Sequence, residues 1–431
     1  MSRIPTYKQL VKNLTIFGGS QVFTVIAAIV RNKCAAEIIG PLAVGLNSLY
    51  LTVVNFVSSL SGMGVNVSAV RSVSECYERG GEELEQEIYK VRKTGMLLGS
   101  LGALIVLLLS PVFSWLYFGD TSHTWQFLTL SVVVFLIVVS GIETAIMKAT
   151  RHVKSIATTM IASAFVSVVT IVPLYLWLGA EGVIWAFVSS SVVSCSIIIA
   201  VGYRQNRQKS FGMGWKELIK TMSPVIMLGM AYVASGVVDS GLELGMQTYF
   251  EYVAGLSFLG LFRSGYQMGV TYTGMIFTAV GNDYFPRLSA ICNDEVERNI
   301  LVRKQIKVLL AVTTPLVIMF IIFVPWIVPL LYSHAFDPIM TMVRWSSLSI
   351  IAKSVSLPMN YIPLVMGKSK HYLLLESFSC VTKTVMIVAG YHLGGFDGIG
   401  IGILASHIID IVVLLLFCKK KYNFSIWGGE Q

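Results

Sequence analysis

The sequence predicts an all-α polytopic membrane protein of about twelve spans, and three observations predict it. Hydrophobic residues fill 55% of the 431 positions and charged residues only 13%. Mean hydropathy is +0.73, which removes the chain from the soluble globular class. Apolar runs of about 20 residues, enough to cross a ~30 Å hydrocarbon core as a helix, recur from end to end. Lysine and arginine collect in every second connecting segment, as they do where short loops face the cytoplasm.

The first span is expected at 11–31. Arg3, Lys8 and Lys12 precede it as in a signal peptide, but no A-x-A site follows, so an uncleaved helix is expected. Phe17, Gln21, Thr24, Ala28 and Arg31 recur on it every three to four residues and draw a polar stripe down an apolar rod. A charge at that depth costs roughly 2.5–3.5 kcal/mol on insertion scales, so Arg31 is expected to face protein or a wet cavity. The other reading is a side chain that snorkels to the headgroups. The second span, 43–70, returns the chain to its starting side. Four more follow at 94–117, 125–147, 155–178 and 181–203.

A basic segment, 204–221, separates these six from the rest, so an N-terminal lobe of 1–203 and a C-terminal lobe of 222–431 are expected. The later spans fall at 222–246, 253–282, 305–332, 339–366, 371–392 and 397–418. Tyr232, Ser235, Asp239 and Glu243 share a face of the seventh, with the carboxylates one turn apart. That pair suits proton or cation coupling, or a salt bridge to Arg263 or Lys353. On the eighth, Arg263, Gln267, Thr271, Gly274 and Thr278 repeat the polar stripe of the first. Lys353 lies two turns before Asn360 on the tenth span, where Pro358 and Pro363 can free backbone carbonyls. Glu376 and Lys383 on the eleventh are expected to neutralise each other or their neighbours.

Short outer segments (118–124, 179–180, 247–252, 333–338 and 393–396) hold no lysine or arginine, while most basic residues lie in the alternate set. Both termini are therefore expected in the cytoplasm, and the net charge of +9 reads as topology rather than nucleic-acid binding. Gly45-Leu46 and Gly260-Leu261 open two long spans at corresponding places, the hint of an internal repeat. The six cysteines form no C-x-x-C pair, the six histidines do not cluster, and no nucleotide loop or hydrolase motif occurs. An enzyme is unsupported. No cofactor is expected beyond a coupling proton or sodium ion.

IVRNKCAAEIIGPLAVGL at 29–46, SGMG at 61–64 before RSVSE, GLFRSGYQMG at 260–269 and VGNDYFPRLSAICND at 280–294 resemble the polysaccharide-transporter branch of the multidrug/oligosaccharidyl-lipid/polysaccharide (MOP) exporter superfamily, the O-antigen flippases. The resemblance implies two six-helix lobes in a V, a central cationic cavity, and outward movement of a polyprenyl-diphosphate-linked oligosaccharide across a bacterial inner membrane. It implies that the cations of the first and eighth spans, Arg31 and Arg263, serve that cavity. Lys353, Gln21 and Gln267 join them as substrate-binding candidates, with Asp239 and Glu243 as the coupling pair. Fourteen-span relatives carry a lipid groove on two further C-terminal helices, and the twelve spans expected here have no counterpart of it. Membrane lipids and polymerase or chain-length proteins are the candidate partners. A cation-coupled multidrug exporter of the same superfamily is the alternative.

Overall fold

The computed structural model describes residues 7–425 except 208, 210, 213, 276, 278–283, 286, 290 and 293. Within helices it leaves out the side chains of 7–18, 21, 22, 78, 215, 228, 231, 232, 235, 275 and 369. Regular structure among the described residues is helical throughout: α1 (Tyr7–Ile38), α2 (Pro41–Gly62), α3 (Val65–Arg79), α4 (Gly81–Phe118), α5 (Thr124–Ala149), α6 (Val153–Leu178), α7 (Gly182–Gln205), α8 (Trp215–Tyr266), α9 (Glu295–Leu331), α10 (Met340–Val365) and α11 (Ser369–Tyr422). Seven stretches are long and apolar enough to cross a membrane.

Length forces breaks. A straight α11 of 54 residues would run about 80 Å, far beyond a ~30 Å core. It folds at Gly394 and Gly395, where φ/ψ leave the helical region. The arms on either side meet, Ser379 donating to Asp410. Likewise α8, 52 residues long, breaks at Gly255 (φ 82°). Counting arms rather than helices, with α3 continuing α2, the described helices fall where the twelve spans are expected, the eighth running on into residues outside the described set.

Two expectations need correction. The second span is not one rod to residue 70. It stops at Gly62, passes through Met63 and Gly64 in the left-handed region (φ 46° and 64°), and restarts at Val65. The segment 247–252, expected as an outer loop, lies inside the helical run of α8, and its Gln247 is fully buried. Buried polar bonds outweighed the local dip in hydropathy: Gln247 accepts from Ser48 and donates to Thr52 and Glu243.

The chain packs as two compact units, Met1–Leu256 and Ser257–Gln431. In the first, α5 is the most enclosed span and touches α2, α3, α4 and α7. Around Phe127 at its start gather Tyr50, Phe113 and Tyr117, with ring centroids about 6 Å apart, and the Tyr50 hydroxyl donates to Gln126 at 2.7 Å. Gly64 crosses Gly229 backbone to backbone, where any Cβ on Gly64 would run into the Gly229 carbonyl. Only glycine satisfies both that approach and a positive φ.

The second unit is built on α10, whose Ser346, Ser347, Ser349 and Ser354 are all fully buried and let α9 and α11 approach closely. Asp294 caps α9 by accepting from the Glu297 amide at 3.0 Å, and Glu295 and Glu297 add negative charge to its first turn. At the other end of the unit's chain, Lys419–Lys421 occupy the last turn of α11, where cations favour the carbonyl end.

Candidate functional site

In the first unit the arginine of α1 turns toward protein. Arg31 is half-buried and donates from Nη1 to Ser167 Oγ on α6 at 2.8 Å. One nitrogen of the guanidinium is thus engaged by protein. Ser167 is itself buried and passes its own proton to the Ala164 carbonyl, leaving the lone pairs for the guanidinium. Gln21, one stripe position earlier, lies outside the described side chains, as do Tyr232, Ser235 and Thr278. Asp239 and Glu243 are half-buried on α8, and Glu243 Oε1 accepts from Gln247 at 3.2 Å.

Beside the break between α2 and α3 opens a cavity of about 320 Å³, in which Asn55, Ser58, Ser59, Asn66 and Ser240 face Ile137, Val138, Ile142 and Val233. Its walls come from α2, α3, α5 and α8. The Ser240 wall adjoins Asp239 in sequence.

The second unit brings more of the predicted residues together. Arg263 and Gln267 are both half-buried, on the last turn of α8 and the first residue of a wide π turn at Gln267–Tyr272. On α10, the Lys353 ammonium stands 5.5 Å from the Phe277 ring centroid. Around it lies a charged cluster that the sequence reading found only in pieces. Asn360 donates to Glu376 Oε2 at 2.8 Å, and Ser379 donates to Asp410 Oδ2 at 2.6 Å. Lys353 and Lys383 are within electrostatic reach of both His407 and Asp410. Thus Glu376, Ser379 and Lys383 come from one arm of α11, His407 and Asp410 from the other, and Lys353 and Asn360 from α10.

Residues 376, 379 and 383, and 407 and 410, are spaced three to four apart, so each set shares a helical face. That periodicity could have found the cluster from the sequence. His407 and Ser379 were missed because each looks like an ordinary member of an apolar run. Asn360 was noted for its prolines, whereas its observed role is to satisfy Glu376.

The deepest ion pair belongs to neither predicted set. Arg92 and Glu143 are 3% and 1% exposed and meet in a bidentate pair at 2.6 and 2.7 Å. Arg92 also donates to the Asn206 and Gly202 carbonyls at the end of α7 and lies 3.9 Å above the Tyr203 ring. Its role is to tie α4, α5 and α7 together. The carboxylate within α5 is thereby neutralised.

Residues 34–341 match the sequence profile of a family described as "Polysaccharide biosynthesis protein". The chain belongs to that family. No curated protein sequence gives a significant match. Among solved structures, the family member is similar to an inward-facing multidrug resistance MATE transporter of the MOP superfamily. That match has a TM-score of 0.77 at 14% identity, covering 93% of this chain and 94% of the other. It is also similar to the lipid II flippase MurJ in an inward closed conformation, with TM-score 0.71 and 16% identity, covering 94% and 87%. A mutant of the Vibrio cholerae MATE transporter VcmN gives 0.61 at 15% identity, covering 96% and 98%. The fold is that of the MOP superfamily, and the expected family resemblance holds. The coarse description follows: a multi-pass membrane protein with the MOP fold, in a polysaccharide biosynthesis family.

Proposed function

We propose that this polysaccharide biosynthesis protein is a flippase that carries a polyprenyl-diphosphate-linked oligosaccharide, such as an O-antigen or capsule repeat unit, from the cytoplasmic to the outer leaflet of a bacterial inner membrane. The observation that carries the reading is Arg31: a cation in the first span that donates to a buried serine on a neighbouring helix. Inside a membrane such a charge marks a polar path. In the proposal Arg31, Arg263 and Lys353 meet the diphosphate, with Gln21 and Gln267 beside them, and the two lobes of six spans open alternately to each face. Asp239 and Glu243 reset the empty carrier by binding a proton or a sodium ion. Both termini lie in the cytoplasm, where polymerase or chain-length proteins would dock.

The direction has a driving force. A head group with about two negative charges leaving a negative interior gains on the order of 2.3 kcal/mol per charge for each 100 mV it crosses. The test is export of lipid-linked oligosaccharide in cells or proteoliposomes. Arg31→Ala and Arg263→Ala should each abolish it at unchanged protein level, and full activity in both would remove the reading. A cation-coupled multidrug exporter is the second reading, favoured by the two carboxylates on α8. Uptake of an organic cation by the same proteoliposomes, without flipping of the lipid, would select it.

A further inference from the structure

On the second unit, an apolar groove of about 570 Å³ runs between α9, the stretch after the π turn and α10. Its volume lies within the roughly 300–1,000 Å³ typical of small-molecule sites. Leu316, Val317, Phe320 and Phe323 of α9 line it, with Tyr272 and Ile350 opposite. The outer edge belongs to the face that α9 turns away from protein, where Leu316, Ile322, Phe323 and Trp326 are all about half exposed or more. A groove with such an edge opens to hydrocarbon rather than water. Of its polar lining, the Thr313 hydroxyl is engaged by Ser354 Oγ at 2.9 Å and by the Leu309 carbonyl at 2.8 Å, and the Thr273 hydroxyl by the Gly269 carbonyl at 2.6 Å.

Val317 and Ile350 pack in one core cluster with Phe277 and Leu309, and the Lys353 ammonium stands over the Phe277 ring. Ile350 and Lys353 are three residues apart on α10, one turn along the same face. The concavity has a local cause. The π turn widens the helix at Gln267–Tyr272 just before the groove, and within it Gly269 lets Ser346 of α10 come so close that a Cβ would collide. An apolar slot with a cation one helical turn beyond its Ile350 wall is complementary to an amphiphile whose anionic head is joined to an extended chain.

We infer that this groove holds the first isoprenoid units of the transported lipid, with Lys353 beside its phosphate. The inference rests on the proposed function and supplies what that reading lacked, a place on the protein for the tail.

The test uses full-length protein in nanodiscs and a polyprenyl diphosphate carrying a diazirine on the chain near the phosphate, with mass-spectrometric mapping of the crosslinks. Crosslinks are expected on Leu316–Phe323 and Tyr272 and to resist a hundredfold excess of unlabelled phospholipid. Leu316→Trp adds bulk at an already exposed position and should leave folding intact, measured as monodisperse elution. It should cut groove crosslinking at least tenfold. Lys353→Ala should weaken capture of the diphosphate probe and leave that of an uncharged prenyl alcohol probe unchanged. The groove is refuted if labelling spreads evenly over the lipid-facing residues of α4, α9 and α11, as a diazirine phospholipid does. The two readings fail separately. Flipping with crosslinks elsewhere would overturn the groove alone, whereas groove crosslinks without flipping would overturn the transport reading and leave a prenyl-lipid site.

Discussion

Removing one member of the Arg92–Glu143 pair should be more damaging than removing both. The pair is nearly inaccessible, and each oxygen of Glu143 receives a guanidinium N–H at 2.6 or 2.7 Å. Truncating one side leaves the other charge buried and uncompensated, which costs about 3–5 kcal/mol. In Glu143→Leu the stranded Arg92 keeps its bonds to the Asn206 and Gly202 carbonyls and its place over Tyr203, so the loss should fall toward the lower end of that range. In Arg92→Met the carboxylate keeps no partner and two carbonyls at the end of α7 lose their donor, so the upper end applies. At about 2–4 °C per kcal/mol, the single variants should lose on the order of 10 °C of apparent Tm. The double variant Arg92→Met/Glu143→Leu should recover most of that loss, because apolar replacement of a buried pair is often neutral or stabilising. The assay is fluorescence-detected size exclusion of heated, detergent-solubilised protein, read as a ranking because unfolding of such proteins is irreversible. Single variants that melt with the parent, or a double variant as unstable as the worse single, would refute the reasoning.

Other outcomes follow from the same coordinates. Gly64→Ala forces a Cβ into the Gly229 carbonyl at a left-handed position, so folded yield should fall sharply, whereas Gly80→Ala, in open space but at φ 72° and ψ −169°, should cost about 1–3 kcal/mol from backbone strain alone. Arg298 reaches the Tyr422 carbonyl at 2.6 Å and the Cys292 carbonyl at 3.4 Å. Arg298→Met should destabilise by roughly 1–3 kcal/mol and raise proteolytic nicking near Tyr422. Hydrogen bonds from the Ser122 hydroxyl and amide hold the exposed Asp120 carboxyl below its ordinary range. Because the folded value is depressed, this turn's contribution is present above the unfolded carboxylate pKa and is lost as pH falls through the folded one. Ser122→Ala should move the Asp120 titration upward in a carboxyl-carbon NMR experiment.

Much of the fold was legible because a bilayer leaves a sequence few choices. Spans must be about 20 apolar residues, and they showed as such from α1 to the second arm of α11. The breaks were less legible. Gly394-Gly395 sat where a loop was expected, but the interruption at Met63-Gly64 falls inside the expected second span, where Gly64 meets the remote backbone of Gly229. Gln247 was misplaced for a similar reason: its partners Ser48 and Thr52 lie about 200 positions away. Within the candidate site, charges could be found one by one, and their partners could not. The Arg92–Glu143 pair has no signature in the sequence, because its members lie 51 positions apart and nothing local joins α4 to α5 and α7. Asn360 and Glu376 were both noted, and only the packing of α10 on α11 makes them a pair.

The hairpin of α11 has a mechanical consequence. Its two arms touch backbone to backbone where Gly390 meets Gly398 and where Gly402 meets Met386, with no side chain between them to slide or flex. Contacts that close resist sliding of one arm past the other, so the hairpin is the stiff partner in its packing with α10. Any stroke that changes how Lys353 sees Glu376 and Asp410 falls to α10, whose Pro358 and Pro363 remove two amide donors just beyond it and make that helix the pliant partner.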